Sequence, residues 1–169
     1  MYAKFAARDG LIIAVAWLIW WLVAGYSAGS GLRADFTGFV AGVMLGAVGA
    51  VLHEWAHLLA ALASRSVLLI NHNLRSPFIF SYDSRENSLA QFVIMSLGGF
   101  VATAAIVILY YVYLPDALLA SRVARGAALF LAFLGVFLEL PLLLFALYSR
   151  TVPAAAAVRV REPAIAPQQ

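Results

Sequence analysis

The chain alternates long apolar runs with short polar segments. Four runs, residues 11–28, 36–64, 89–114 and 126–149, are long enough to cross a bilayer, because a transmembrane helix needs about 20 mostly apolar residues. The pattern therefore predicts an all-α membrane protein with four transmembrane helices, which we number as the first to fourth spans.

The polar segment between the second and third spans, residues 65–88, predicts a short β-hairpin. Two β-prone runs, residues 66–70 and 78–82, are separated by Asn, Ser and Pro residues that favour turns. His72 lies in that turn and is expected to be a solvated loop residue and not a ligand.

The first span is also compatible with a signal peptide, because Lys4 and Arg8 precede its apolar run and small residues follow it. Its three tryptophans favour a retained anchor, and its loss is expected to leave the other spans intact. The predicted organisation is an N-terminal anchor at residues 1–35, a core at 36–150 and a Pro/Ala-rich disordered tail at 151–169.

Composition supports a membrane protein and narrows its chemistry. Hydrophobic residues make up 64% of the 169 residues and charged residues 11%, well outside the balance of soluble domains. Cysteine is absent, so any metal must be held by histidine and carboxylate side chains. The net charge of +3 is small and spread over the loops, which argues against a nucleic-acid surface.

The basic residues predict the orientation in the lipid bilayer. With the N-terminus inside, eight basic residues are cytoplasmic and only Arg33, Arg122 and Arg125 lie outside, as the positive-inside rule favours. Both termini and the hairpin are then cytoplasmic. The preference for arginine over lysine, with abundant Ala, Val and Leu, suggests a bacterium and hence its cytoplasmic membrane.

The second span contains the sequence His53-Glu54-Trp55-Ala56-His57. Ionisable groups at mid-bilayer cost roughly 2.5 kcal/mol or more each, so they need a compensating partner. On a helix, His53 and His57 lie one turn apart and can bind the same cation, and Glu54 beside them can act as a general base. The alternative is a histidine pair that is hydrogen-bonded inside a helical bundle.

Glu139 is the leading candidate for a third ligand. It lies eleven residues before Arg150, as Glu54 lies eleven before Arg65, so both carboxylates are expected roughly 15 Å from the cytoplasmic arginines. Its alternative partners are a polar group such as Gln91 or another subunit. The other acidic residues are assigned to loops, termini or the tail: Asp9, Asp35, Asp83, Glu86, Asp116 and Glu162.

Small residues share the faces that carry these candidate ligands, and small residues let membrane helices approach closely. Pro141, two residues after Glu139, removes a backbone hydrogen bond and is expected to kink or open the fourth span. The small residues are Gly46, Gly49, Ala50, Ala60, Ala61 and Ser64 in the second span, and Ala128, Ala132, Gly135 and Ala146 in the fourth.

With these features, residues 51–149 resemble the site-2 protease family of intramembrane zinc metalloproteases. The HExxH helix is followed by a hairpin and by a third span with Ser96-Leu97-Gly98-Gly99-Phe100, where the family usually has a small-Gly-Pro element. The resemblance implies a three-helix core, Zn²⁺ on His53 and His57, and Glu54 as base. The chain departs from the family at Leu138-Glu139-Leu140-Pro141, where a Leu-Asp-Gly motif normally supplies an aspartate ligand.

Two hypotheses follow for function. In the first, the protein is an intramembrane zinc endopeptidase whose partner is a membrane protein or peptide substrate; that substrate adds a strand to the hairpin, and Gly98 and Gly99 let its backbone come close. In the second, it is a catalytically inactive relative that keeps the metal and serves as a chaperone or subunit of a larger complex. A di-iron oxygenase is disfavoured because only three histidines are present. An ion or proton path stays open, although no span shows the paired interruptions of inverted repeats.

Overall fold

The structure, a computed structural model, describes residues 2–153. The predicted disordered tail falls almost entirely outside this part of the chain. The elements are α1 (Tyr2–Val23), a 3₁₀ turn (Ala24–Ala28), α2 (Leu32–Ala63), β1 (Leu68–Ile70), β2 (Phe80–Tyr82), α3 (Leu89–Tyr113), α4 (Leu119–Leu134), a π-helical turn (Gly135–Glu139) and α5 (Leu140–Ser149).

Within residues 2–153, four helical segments are long and apolar enough to cross a membrane, which confirms the four predicted spans and is the pattern of an integral membrane protein. They are Tyr2–Ala28, Leu32–Ala63, Leu89–Tyr113 and Leu119–Ser149, the last of which combines α4, the π turn and α5. Large apolar side chains point outward, such as Trp21 (80% exposed) and Tyr148 (91%). Such exposure suits contact with lipid, because lipid does not penalise apolar surface.

The first and fourth spans begin earlier than their apolar runs. α1 starts at Tyr2, and its polar residues are accommodated because Arg8 binds the hairpin loop and Asp9 binds Arg8 and Trp55. α4 starts at Leu119 because Arg125 donates hydrogen bonds to carbonyls at the end of α3 and pairs with Asp116. The predicted boundary between residues 35 and 36 falls inside α2, so the anchor and the core share a helix.

α2 is the central helix and packs against α1, α3 and α4. A Cβ at Gly38, Gly42 or Gly46 would lie 2.5–2.9 Å from Leu119, Val123 or Ala127 of α4, respectively. Each of these pairs is separated by 81 positions in the sequence, so the two helices run in the same direction. Glycine at every fourth position thus lets α4 approach the helix that carries the HExxH sequence.

The hairpin leaves α2 through a left-handed residue, Arg65, with φ of 56°. Ser66 N–H donates to the Ala61 carbonyl (2.9 Å) and Arg65 N–H to the Leu62 carbonyl (3.0 Å), which is the Schellman arrangement that ends a helix. The predicted strands are confirmed as an antiparallel pair, but each is three residues long, with Leu68 opposite Tyr82 and Ile70 opposite Phe80.

Asn87 closes the base of the hairpin. Its side chain accepts a hydrogen bond from Val67 N–H (2.7 Å) and donates to the carbonyls of Val67 (2.8 Å) and Asp83 (2.7 Å). The next residue begins α3 with a capping box, in which Ser88 and Gln91 satisfy each other's backbone N–H. The hairpin is therefore fixed relative to both α2 and α3.

Candidate metal centre

Three side chains from two spans converge in the C-terminal half of α2. His53 Nε2 lies 3.1 Å from Glu139 Oε1, His57 Nε2 lies 3.1 Å from His53 Nε2, and His57 Nε2 lies 3.4 Å from Glu139 Oε2. One ligand atom from each residue lies within 4.8 Å of the others. The structure thus brings together the predicted triad of His53, His57 and Glu139.

The π turn places Glu139, which is its last residue. Pro141 has no N–H, so the α-helical hydrogen bond to the carbonyl four residues earlier is lost. The chain instead forms a wider turn, in which Leu140 N–H donates to the Gly135 carbonyl. The opening predicted from Pro141 is therefore present, and Glu139 faces α2.

α3 fixes both imidazole rings from behind. His57 Nδ1 lies 2.9 Å from the Met95 carbonyl, and His53 Nδ1 lies 3.2 Å from the Gly99 carbonyl and 2.7 Å from Thr103 Oγ1. A carbonyl can only accept a hydrogen bond, so the Nδ1 atoms carry the protons. The Nε2 lone pairs then face Glu139, which is the orientation that outer-shell hydrogen bonds give to metal-binding histidines.

The donor set of this arrangement fits a cation. Two Nε2 lone pairs and a carboxylate face each other at 3.1–3.4 Å, and neutral imidazoles with Nδ1 protonated supply no proton between them. Glu139 Oε2 is buried and forms no hydrogen bond within residues 2–153. A metal ion would satisfy all three groups, so the donor set fits the predicted two-histidine, one-carboxylate site.

Glu54 lies outside the triad and faces the hairpin. Its Oε1 accepts a hydrogen bond of 3.2 Å from Ile79 N–H, the residue before β2. Glu54 lines the same cavity as His53, His57 and Glu139. It is therefore placed beside the candidate ligands and not among them.

The cavity has a volume of about 990 Å³ and extends from the triad to the hairpin loop. Apolar residues of α4 and α5 form one wall, β2 forms another, and Arg8, Asp9 and Ile12 of α1 close a third side. It is large enough for an extended peptide segment, since ligand pockets measure about 300–1,000 Å³.

Gly98 and Gly99 pack against α2. A Cβ at Gly98 would lie 2.6 Å from Ala60 Cβ and 2.8 Å from the Ala56 carbonyl, and one at Gly99 would lie 2.2 Å from His57 Nε2. Neither glycine lines the cavity. Their contacts give them a packing role, and substrate binding by them stays a prediction.

The positions of Gln91 and His72 exclude Gln91 as the partner of Glu139 and place His72 away from the triad. Gln91 donates to the carbonyls of Ser64 and Arg65 at 3.1 Å and does not pair with Glu139. His72 is exposed in the hairpin loop, as predicted.

The assignment of Asp9 and Asp35 to loops or termini was wrong, because Asp35 lies in the first turn of α2. Asp9 lies within α1, is 2% exposed, and accepts hydrogen bonds from Arg8 and Trp55. The apolar run that defined the first span begins at residue 11, so Asp9 was left outside it. A charged pair of adjacent residues at the end of an apolar run was the available signal.

Thr103 was also missed as part of the site. It lies four residues after Gly99 and eight after Met95, so all three contact the histidines from one face of α3. A polar residue in the apolar second half of the span, spaced by four from a glycine, was the sequence signal.

Comparison of the chain with protein-family models, with curated proteins and with solved structures found no match.

Proposed function

We propose that the protein is an intramembrane zinc metalloprotease, a divergent relative of the site-2 proteases, that hydrolyses peptide bonds in or near transmembrane segments. The observation that carries the proposal is the convergence of His53, His57 and Glu139 beside Glu54 in one membrane cavity. Together these residues supply the ligands and the base that peptide hydrolysis requires.

The separations of the donor atoms support zinc. Tetrahedral zinc with bonds of about 2.0–2.1 Å holds its ligand atoms about 3.3 Å apart, and His53 Nε2 lies 3.1 Å from both His57 Nε2 and Glu139 Oε1. A glutamate therefore fits here in place of the aspartate of the resembling family, because the π turn sets its position. When bound, Zn²⁺ lowers the pKa of a water ligand toward about 7 and polarises a carbonyl group.

The protein's own residues then orient the reaction and move its proton. His53 and His57 hold their Nε2 atoms toward the cavity through the hydrogen bonds of their Nδ1 atoms to α3. Glu54 accepts the proton of the attacking water on Oε2, since Oε1 is bonded to Ile79 N–H. As the water oxygen bonds to the carbonyl carbon and the C–N bond breaks, Glu54 returns the proton to the departing amine.

β2 supports binding of an extended substrate. Asn71 N–H donates to the Ile79 carbonyl (2.9 Å), and the alternation of an antiparallel pair then turns the N–H and C=O groups of Phe80 and Tyr82 away from β1. Both residues line the cavity. A substrate segment can add to this edge as a third strand, which exposes its peptide bond near the triad.

The orientation belongs to the same proposal. Termini and hairpin in the cytoplasm satisfy the charge bias of the loops, and a bacterial cytoplasmic membrane suits the composition. The site then opens toward the cytoplasmic side, where the hairpin lies.

The experiment uses purified full-length protein reconstituted with zinc and a single-span substrate. Glu54→Gln should abolish cleavage and retain one zinc per chain, whereas Glu139→Ala should lose both. Glu86→Gln, the same change at an exposed loop position, is the matched control and should cleave normally. Undiminished cleavage by Glu54→Gln would refute the protease proposal.

A second candidate function is a metal-dependent structural or chaperone role without catalysis. It is favoured by the hydrogen bond between Glu54 and Ile79, because this bond also gives Glu54 a purely structural task. Zinc binding by wild type together with no cleavage of several single-span substrates would select this alternative. A chain that stays free of metal in excess zinc would exclude both candidates.

A further inference from the structure

A buried hydrogen-bonded network connects α1 to α2 beside the candidate base. Asp9 is 2% exposed. Its Oδ2 accepts a hydrogen bond from Trp55 Nε1 (2.7 Å) and its Oδ1 accepts one from Arg8 Nε (2.6 Å). Trp55 directly follows Glu54 in α2. Asp9 therefore connects α1 to the turn of α2 that carries the candidate base Glu54.

Arg8 extends the network to the hairpin loop. Its Nη1 donates to the Leu74 carbonyl (2.9 Å) and to the Ser76 carbonyl (2.6 Å). Three residues after Ser76, Ile79 N–H donates to Glu54 Oε1 (3.2 Å). The contacts therefore form a closed ring that runs from Glu54 through Trp55, Asp9, Arg8 and the loop, and back to Glu54.

Packing beside the ring shows that this is a built contact and not a surface ion pair. Phe5 of α1, Leu58 of α2 and Ile79 of the loop are each 0% exposed and form one apolar cluster. A buried carboxylate is strongly destabilising without partners, and Asp9 has two donors. Both Arg8 and Asp9 line the cavity that holds the triad.

We propose that Arg8 and Asp9 are positioning residues that fasten the hairpin loop to α1 and thereby hold Glu54 and the edge of β2 in place. α1 then helps to position the candidate base and is not only a membrane anchor. The effect on catalysis rests on the proposed protease function, whereas the fastening of the loop does not.

The fastening is tested on the loop itself. The chain has no cysteine, so His72→Cys provides a single site for a spin label at an exposed loop position. In full-length protein, Arg8→Ala should increase the mobile fraction of the label spectrum at least threefold. Lys4→Ala removes the same charge one turn earlier on α1, at an exposed position, and should leave the spectrum unchanged. An unchanged spectrum in Arg8→Ala would overturn the inference, whether or not the protein is a protease.

The positioning role is tested by kcat per zinc-loaded chain. Arg8→Ala should keep its zinc and lose at least tenfold in kcat, and Arg8→Lys should recover part of the loss, because an ammonium can reach one carbonyl but lacks the guanidinium fork. A merely structural role would reduce the amount of zinc-loaded protein and leave its kcat unchanged, which would refute positioning. If Arg8→Ala fails to accumulate, Arg8→Lys carries the same test with a smaller expected loss. Absence of cleavage by wild type would instead count against the protease function, and the label spectrum would still decide the fastening.

Discussion

Replacement of Gly99 by alanine is expected to disrupt the candidate metal site although no candidate ligand is itself mutated. The added Cβ would lie 2.2 Å from His57 Nε2 and 2.3 Å from Cε1. Ordinary van der Waals contact begins at 3.4 Å, so the ring and α3 must separate by 1.2 Å. Metal–ligand distances tolerate only about 0.2 Å, and His57 therefore cannot stay in position.

The expected loss is large because the displaced atom is the ligand nitrogen itself. Even outer-shell substitutions lower metal affinity 10–100-fold, so loss of one of three ligands should cost at least 100-fold, or about 2.7 kcal/mol. The measurement is a competition titration of purified Gly99→Ala against a chelator of known zinc affinity, with zinc per chain determined separately.

Two matched controls separate the ligand effect from glycine substitution in general. At Gly126, an added Cβ meets nothing within 4 Å, so Gly126→Ala should bind zinc normally. At Gly98, the added Cβ meets Ala60 and the Ala56 carbonyl but no candidate ligand. Gly98→Ala should therefore lower the free energy of unfolding by more than it lowers the free energy of zinc binding. Wild-type zinc affinity in Gly99→Ala would show that the geometry derived for His57 is incorrect.

Three further predictions concern the surroundings of the site. Thr103→Val removes the hydroxyl at 2.7 Å from His53 Nδ1 and should lower zinc affinity about tenfold in the same titration; unchanged affinity would exclude this role. Asn87→Ala leaves the backbone of Val67 without partners and should lower the free energy of unfolding by about 2 kcal/mol, with zinc content retained. Burial raises the pKa of the Tyr82 phenol, so the folded state favours the neutral form and its contribution to stability, complete below about pH 10, is lost as pH rises through the folded pKa. Tyr82→Phe should therefore flatten the fall in unfolding temperature between pH 9 and 11, and an unaltered slope would contradict the assignment.

The spans and the triad could be predicted because each depends on a local or strongly restricted pattern. Apolar runs of sufficient length define membrane helices, and an ionisable group inside such a run needs a partner. With Glu54 and Glu139 as the only acids assigned to spans, few combinations were available. The same reasoning failed for Asp9, because its charge is compensated by Arg8 and Trp55, which no hydropathy window can represent.

The surroundings of the triad could not be predicted because they depend on how three helices pack. The contacts of Met95 and Thr103 with the imidazole rings require the rotation of α3 relative to α2. The contact of Gly99 could not be predicted for the same reason: the pattern indicated a small residue, but only the packed structure shows that His57 fills the space beside it.

The π turn at Gly135–Glu139 rotates the second half of the last span about the helix axis relative to the first half. One residue more than a regular α-helix requires advances everything beyond it by about 100°. Deletion of a single residue from this turn would shorten the span by only about 1.5 Å, yet it would swing the carboxylate of Glu139 toward a different neighbour. A helical wheel drawn continuously from Leu119 to Ser149 therefore misses the rotation of about 100° that this turn introduces between the two halves of the span.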